Sequence, residues 1–177
     1  ALKYDPDKAK QKLAEGGHPN GFEITLLTAN DPESIRICEL VKDNWAAIGV
    51  NVTISPGDSN AVFAAMGKGD FELELSSWTP RPDPDGTLRR HFHSESPLNY
   101  QKYKSDEADK LLDGEQQLPP GQERTDVFHQ LQRILVDDAP WVYLVFEMTT
   151  FGMRKSVQGF PLIPDTLIRP GTVWLNE

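Results

Sequence analysis

Phe22-Glu23-Ile24-Thr25-Leu26-Leu27-Thr28 alternates apolar and polar residues, and after Asn30-Asp31-Pro32 the chain places Cys38, Val41, Trp45 and Ile48 at helical spacing. Gly49 then ends the helical pattern, and Val50-Asn51-Val52-Thr53-Ile54 alternates again. Period two, then 3.6, then two, within about thirty residues, is the signature of a strand, a helix and a strand. Connections this short make a βαβ unit, which pairs its two strands in parallel.

Working outward from this stretch, Asp5-Pro6 supplies a helix cap and a proline for the first turn. Ala9, Leu13 and Ala14 give that helix an apolar face, and Gly16-Gly17 closes it. Downstream, Pro56-Gly57 turns the chain, 61–66 forms a short helix, and Phe71, Leu73 and Leu75 alternate with Glu72 and Glu74 as a third strand. A second βαβ unit is therefore expected, making the fold α/β with a mixed, largely parallel sheet flanked by helices. After Trp78 comes Thr79-Pro80-Arg81-Pro82-Asp83-Pro84-Asp85-Gly86, whose prolines remove donors and exclude a regular helix or central strand. Helical patterns follow around 105–113 and 122–136, the second with Val127, Leu131, Ile134 and Leu135 on one face. The apolar run Trp141 to Phe146 has the length of a buried strand, and 155–177 shows no sustained period.

Composition limits what such a chain can do. With 177 residues, 38% hydrophobic and 25% charged, it has the make-up of a globular domain, and no apolar stretch approaches the ~20 residues of a membrane-spanning helix. Lys plus Arg is 18 against 27 Asp plus Glu, and a net charge of -9 argues against nucleic acid as a partner. A lone cysteine, Cys38, excludes an internal disulfide and leaves the redox compartment open. Ala1-Leu2-Lys3-Tyr4 has no leader pattern and runs almost at once into the first cap, as expected of a processed protein or a piece of a longer one.

The candidate chemistry is sparse. Cys38 lies on an apolar stripe, where a thiol is a core residue. His91 and His93 lack a third ligand beside them, so they read as surface or helix-end histidines rather than a metal site. Asp83 and Asp85 form either a carboxylate pair for acid–base work or ordinary turn and cap residues, with Asp85 capping a helix over 86–91. Glu72 and Glu74 read as a solvated or edge face, Asn51-Val52-Thr53 as a chance sequon, and Gly67-Lys68-Gly69 lacks the Ser or Thr of a phosphate loop. Trp78 ends a strand just before a stiffened loop, which makes it either a ligand contact, since open α/β sheets put ligands there, or a buried core tryptophan, and Arg81 sets a fixed cation beside it.

A series of motifs runs collinearly through almost the whole chain: Tyr4-Asp5-Pro6-Asp7-Lys8-Ala9, Gly21-Phe22-Glu23-Ile24-Thr25-Leu26, Trp45-Ala46-Ala47-Ile48-Gly49-Val50, Lys68-Gly69-Asp70-Phe71, Ser77-Trp78 with Pro82-Asp83-Pro84-Asp85, Asn99-Tyr100, Ile134 to Pro140 and Val157-Gln158-Gly159-Phe160. In this order they resemble the family 5 solute-binding proteins of ABC importers, the dipeptide, oligopeptide and nickel group.

The resemblance implies one lobe of a periplasmic-binding-protein-like fold, here the second of two lobes that close over a solute. Residues 1–154 are then the ligand-binding lobe, and 155–177 a segment returning toward the missing lobe. It further implies that Trp78 packs on the ligand while the main chain of Ser77 and Thr79 pairs with an extended peptide. Peptide-binding members place an aspartate three residues after this tryptophan to hold the ligand's ammonium, and here that position is Arg81. An anionic or blocked ligand is expected, unless a slip of register in the loop brings Asp83 to that position. Implied partners are a peptide or small solute, the importer's membrane subunits and the first lobe. The implied location is the periplasm or outer face of a bacterial membrane, with or without a lipid anchor, and no cofactor is called for. Two other classes stay open: a small hydrolase using Asp83 or Asp85 with a histidine, and a protein-interaction domain.

Overall fold

The structure, a computed structural model, describes residues 3–79, 81–146, 148–163 and 167–176. Ala1, Leu2, Pro80, Glu147, Pro164, Asp165, Thr166 and Glu177 lie outside the described residues. Two units divide the chain, residues 1–77 and 78–177.

In the first unit, α1 (Pro6–Glu15) starts on Asp5, whose carboxylate accepts the Lys8 N–H. Strand β1 (Phe22–Ala29) leads through the Asp31 cap into α2 (Pro32–Ala46) and on to β2 (Val50–Gly57). Helix α3 (Ser59–Lys68) then returns the chain to β3 (Leu73–Leu75). The strand order is β2-β1-β3, all parallel, with Phe22 opposite Val50, Leu26 opposite both Ile54 and Leu73, and Thr28 opposite Leu75. One sheet face carries Leu26, Val50 and Val52, and Cys38 of α2 packs there fully buried with Val41 and Trp45 around it. The thiol is a core residue, and burial pushes its pKa up.

Entry into β1 and β2 depends on glycine at two positions. Gly21 and Gly49 have φ of +76° and +87°, and a Cβ on Gly21 would lie 1.9 Å from the Gly49 carbonyl oxygen. Only a residue without a side chain lets the backbones approach this closely in that conformation.

β3 is shorter than the alternation predicts, because the Thr25 N–H donates to the Glu72 carboxylate at 2.7 Å instead of to another strand residue. Glu72 is an edge residue as expected. Glu74 departs from that expectation: it is partly buried, with Oε2 accepting from Ser76 Oγ at 2.9 Å and Oε1 buried and bonded to no described residue.

The second unit opens with helix α4 (Asp85–Phe92), followed by α5 (Asp106–Glu115) and α6 (Gln122–Asp138). Its core is Phe92, Ala108, Leu112, Leu131 and Leu135, joined by Leu88, Tyr103, Ile134 and Trp141. Ser105 caps α5 by accepting the Ala108 N–H, and Ala139, left-handed at φ +50°, ends α6 before Pro140.

Three expectations are corrected in this unit. Asp85 is the first residue of α4 and not its cap; the Asp85 N–H instead donates to the Asp83 carboxylate at 3.0 Å. His91 is 2% exposed, hence a core residue and not a surface one. The run Trp141 to Phe146 forms no strand among the described residues: Trp141 joins the core, while Val142, Tyr143, Leu144, Val145 and Phe146 are exposed, Phe146 by 94%. An apolar run becomes a buried strand only where a neighbouring strand takes its ladder bonds, and here none does. The unperiodic tail contains a short antiparallel pair, β4 (Val157–Gln158) with β5 (Trp174–Leu175).

Candidate functional site

The strand order of the first unit reverses between β1 and β3, and in open α/β sheets the crevice beyond the carboxyl ends of such strands is where ligands bind. β3 ends at Leu75 and the chain runs directly into Ser76, Ser77, Trp78 and Thr79. Ser77 and Thr79 are exposed, and neither makes a main-chain hydrogen bond to another described residue. Their peptide groups are thus open to an extended partner, as at the edge of a sheet.

Trp78 is half-buried against the ring of His91, centroid to centroid 4.4 Å, with the Tyr100 ring at 6.4 Å. His91 in turn meets Trp141 at 4.9 Å, and Trp141 meets Phe92 at 4.8 Å, so the tryptophan is backed by an aromatic stack rooted in the helical core. Burial holds the His91 imidazole below its ordinary pKa, with the Arg90 charge adding to this, and its buried Nδ1 has no partner.

The proline loop is fixed from both ends of its acidic pair. The Arg81 N–H donates to Thr87 Oγ1 at 3.2 Å and its stem lies against Gly86, while its exposed guanidinium makes no ion pair with a described residue. Asp83 is held bidentately by Arg124, at 2.7 and 2.9 Å, which keeps its carboxyl below the usual range. Asp85 accepts from Arg89 Nε at 3.0 Å and from Gln116 at 3.3 Å, and Arg89 also bonds Asp113 and the Leu112 carbonyl. Arg124 reaches on to Glu115 at 2.7 Å, a carboxylate with no exposed surface, and lies 5.0 Å over the Phe128 ring.

Of the five residues singled out in the sequence, Ser77 and Thr79 have exposed main chain that bonds no other described residue's main chain, Arg81 has an exposed guanidinium that makes no ion pair with a described residue, and Trp78 is half-buried. Asp83 has both oxygens committed to Arg124. Neither Asp83 nor Asp85 bonds a histidine among the described residues; their partners are arginines and an amide. Sequence reasoning missed Arg124 and Glu115. The signal was present, since Glu115 falls on the buried stripe of α5 with Ala108 and Leu112, and a carboxylate on such a stripe requires a cation.

Residues 1–113 match the family model described as bacterial extracellular solute-binding proteins, family 5 middle. The chain belongs to this family. Heme-binding protein A of Haemophilus influenzae is 30% identical over 169 residues, covering 91% of the chain and 31% of that relative. The glutathione-binding protein GsiB of Salmonella typhimurium is 29% identical over 174 residues, covering 92% and 34%. Among solved structures, the periplasmic binding protein DppA of Helicobacter pylori, in complex with the peptide STSA, superposes with a TM-score of 0.81 at 26% identity over 99% of the chain and 35% of that protein. The fold is therefore that of part of a periplasmic binding protein. This family 5 chain spans about a third of the length of the relatives it matches.

Proposed function

We propose that the chain is one lobe of the substrate-binding component of an ABC importer, which captures a peptide or similar small solute in a cleft between two lobes. The observation that carries this is the strand end itself: main chain at Ser77 and Thr79 that bonds no other described residue's main chain, on either side of a half-buried Trp78. Main-chain pairing supplies affinity without sequence preference, and the ring face adds apolar contact. Arg81 supplies a cation for a carboxylate, phosphate or sugar oxygen of the solute, and Asp83 contributes by fixing the loop.

Residues 1–154 form the ligand-binding lobe in this reading, and 155–177 lead toward the other lobe. The exposed apolar residues 142–146 fit it too, because a larger receptor has the surface to cover them. Closure of two lobes sequesters the solute for delivery to the importer's membrane subunits at the outer face of the membrane, and no bond of the solute is broken.

Calorimetry on the complete receptor with trialanine, N-acetyl-trialanine and glutathione tests this reading. Arg81 should favour the blocked or acidic probes over trialanine, and Arg81→Asp should move the preference toward the free ammonium. An unchanged preference overturns the role of Arg81, and binding untouched by Trp78→Ala overturns the site.

A further inference from the structure

Arg124 stands out among the partly buried polar groups because all three nitrogens of its guanidinium bond carboxylates. Its two terminal nitrogens hold both oxygens of Asp83, its Nε holds Glu115 from the end of α5, and its plane covers Phe128 one turn further along α6. Asp83 lies 41 residues away in the proline loop, so this one side chain ties the loop to the two helices of the core. The same Asp83 carboxylate accepts the Asp85 N–H that opens α4, and the Arg81 N–H bonds Thr87 in the first turns of that helix. The chain from Arg81 to Thr87 is thereby closed on itself and bolted at a single point.

Glu115 is what makes the bolt rigid. Its side chain is 0% exposed, burial and the neighbouring Asp85 carboxylate push its pKa up, and among the described residues Arg124 is the one cation bonded to it. A guanidinium that left Asp83 to follow solvent would strip a buried acid of its counter-charge. A lysine could not replace it, because a point charge cannot bond two carboxylates in fork geometry at once.

We infer that Arg124, seated on Glu115, is a positioning residue for ligand binding: through Asp83 it holds the 81–85 loop, and with it the main chain and stem of Arg81, in place for the solute. The inference rests on the proposed reading of that loop as ligand-facing. It predicts that affinity for an anionic solute depends on a residue that touches no solute.

Two variants keep the test independent of folding. Asp83→Ala releases the loop while leaving Arg124 on Glu115, and Arg124→Gln/Glu115→Gln releases it without burying a lone charge. In the chain described here, amide exchange at Arg81 and Asp85 should rise about tenfold or more in both, with Leu131 unaffected. In the complete receptor, glutathione affinity should fall about tenfold in Asp83→Ala, and should fall no further when Asp83→Ala is added to Arg81→Gln. Exchange unchanged at Arg81 and Asp85 overturns the clamp. Raised exchange with affinity losses that simply add overturns its action through Arg81. Glutathione failing to bind the wild-type receptor contradicts the ligand class of the proposed function, and the exchange measurement still decides the clamp.

Discussion

Replacing Glu74 by Gln should stabilise the protein at neutral pH and do almost nothing for it in acid. Glu74 sits in β3 between Leu73 and Leu75, with Oε1 buried and bonded to no described residue. Burial raises its carboxyl pKa from the ordinary 4.5 to about 6, and the Ser76 hydroxyl offsets this only in part. A raised folded-state pKa means that the native protein holds the proton more tightly than the unfolded chain does. Stability from this group is therefore fullest below pH 4.5 and declines as pH rises through about 6. The gap between the two values, at about 1.4 kcal/mol per pH unit, makes the ionised carboxylate cost about 2 kcal/mol at pH 8. Glutamine carries no charge and still offers Ser76 an acceptor. Urea unfolding of both proteins at pH 4 and pH 8 should show the variant more stable by about 2 kcal/mol at pH 8 and close to equal at pH 4. The comparison between the two proteins cancels the opposite contributions of Asp31, Asp83 and Asp113, whose carboxyls are held low. A variant that is no more stable at pH 8, or equally stabilised at both pH values, would refute the buried-charge argument.

Further outcomes concern packing, backbone and binding. Gly21→Ala should cost at least about 2 kcal/mol, because it forces a side chain at positive φ into the Gly49 carbonyl, and its urea midpoint should fall accordingly. Gly67→Ala is the control: it lies in α3 with nothing near its Cβ, and should gain about 0.5–1 kcal/mol. Leu131→Ala, at a site with no exposed surface in the helical core, should lose about 3–4 kcal/mol in the same assay. The 177-residue chain alone should fold yet show weak or no calorimetric signal with trialanine or glutathione, since one lobe offers half the contacts; micromolar binding by it would contradict the two-lobe account.

The parallel sheet was legible because each of its devices is local. Phe22 to Thr28 alternates within one strand, Asp31-Pro32 caps within one turn, and Gly49 lies between α2 and β2. Trp78 could be picked out for the same reason, as an aromatic at the junction of a strand and a proline loop. What could not be read is non-local. The bond from Asp83 to Arg124 spans 41 residues, and the stacking of Trp78 on His91 depends on which face α4 turns to the preceding loop. Trp141 to Phe146 misled because an apolar run encodes the need for a partner without encoding whether one is present, and the described residues provide none. Of the two readings of His91, surface or helix end, the second holds, since it lies in the last turn of α4, but two tryptophan rings keep it from the surface.

The most direct test is a crystal structure of the complete receptor with the solute that co-purifies with it. The account predicts a solute whose polar groups bond the main chain of Ser77 and Thr79, whose body rests on Trp78 and whose anionic group meets Arg81. A solute bound out of reach of residues 77–81 would contradict it.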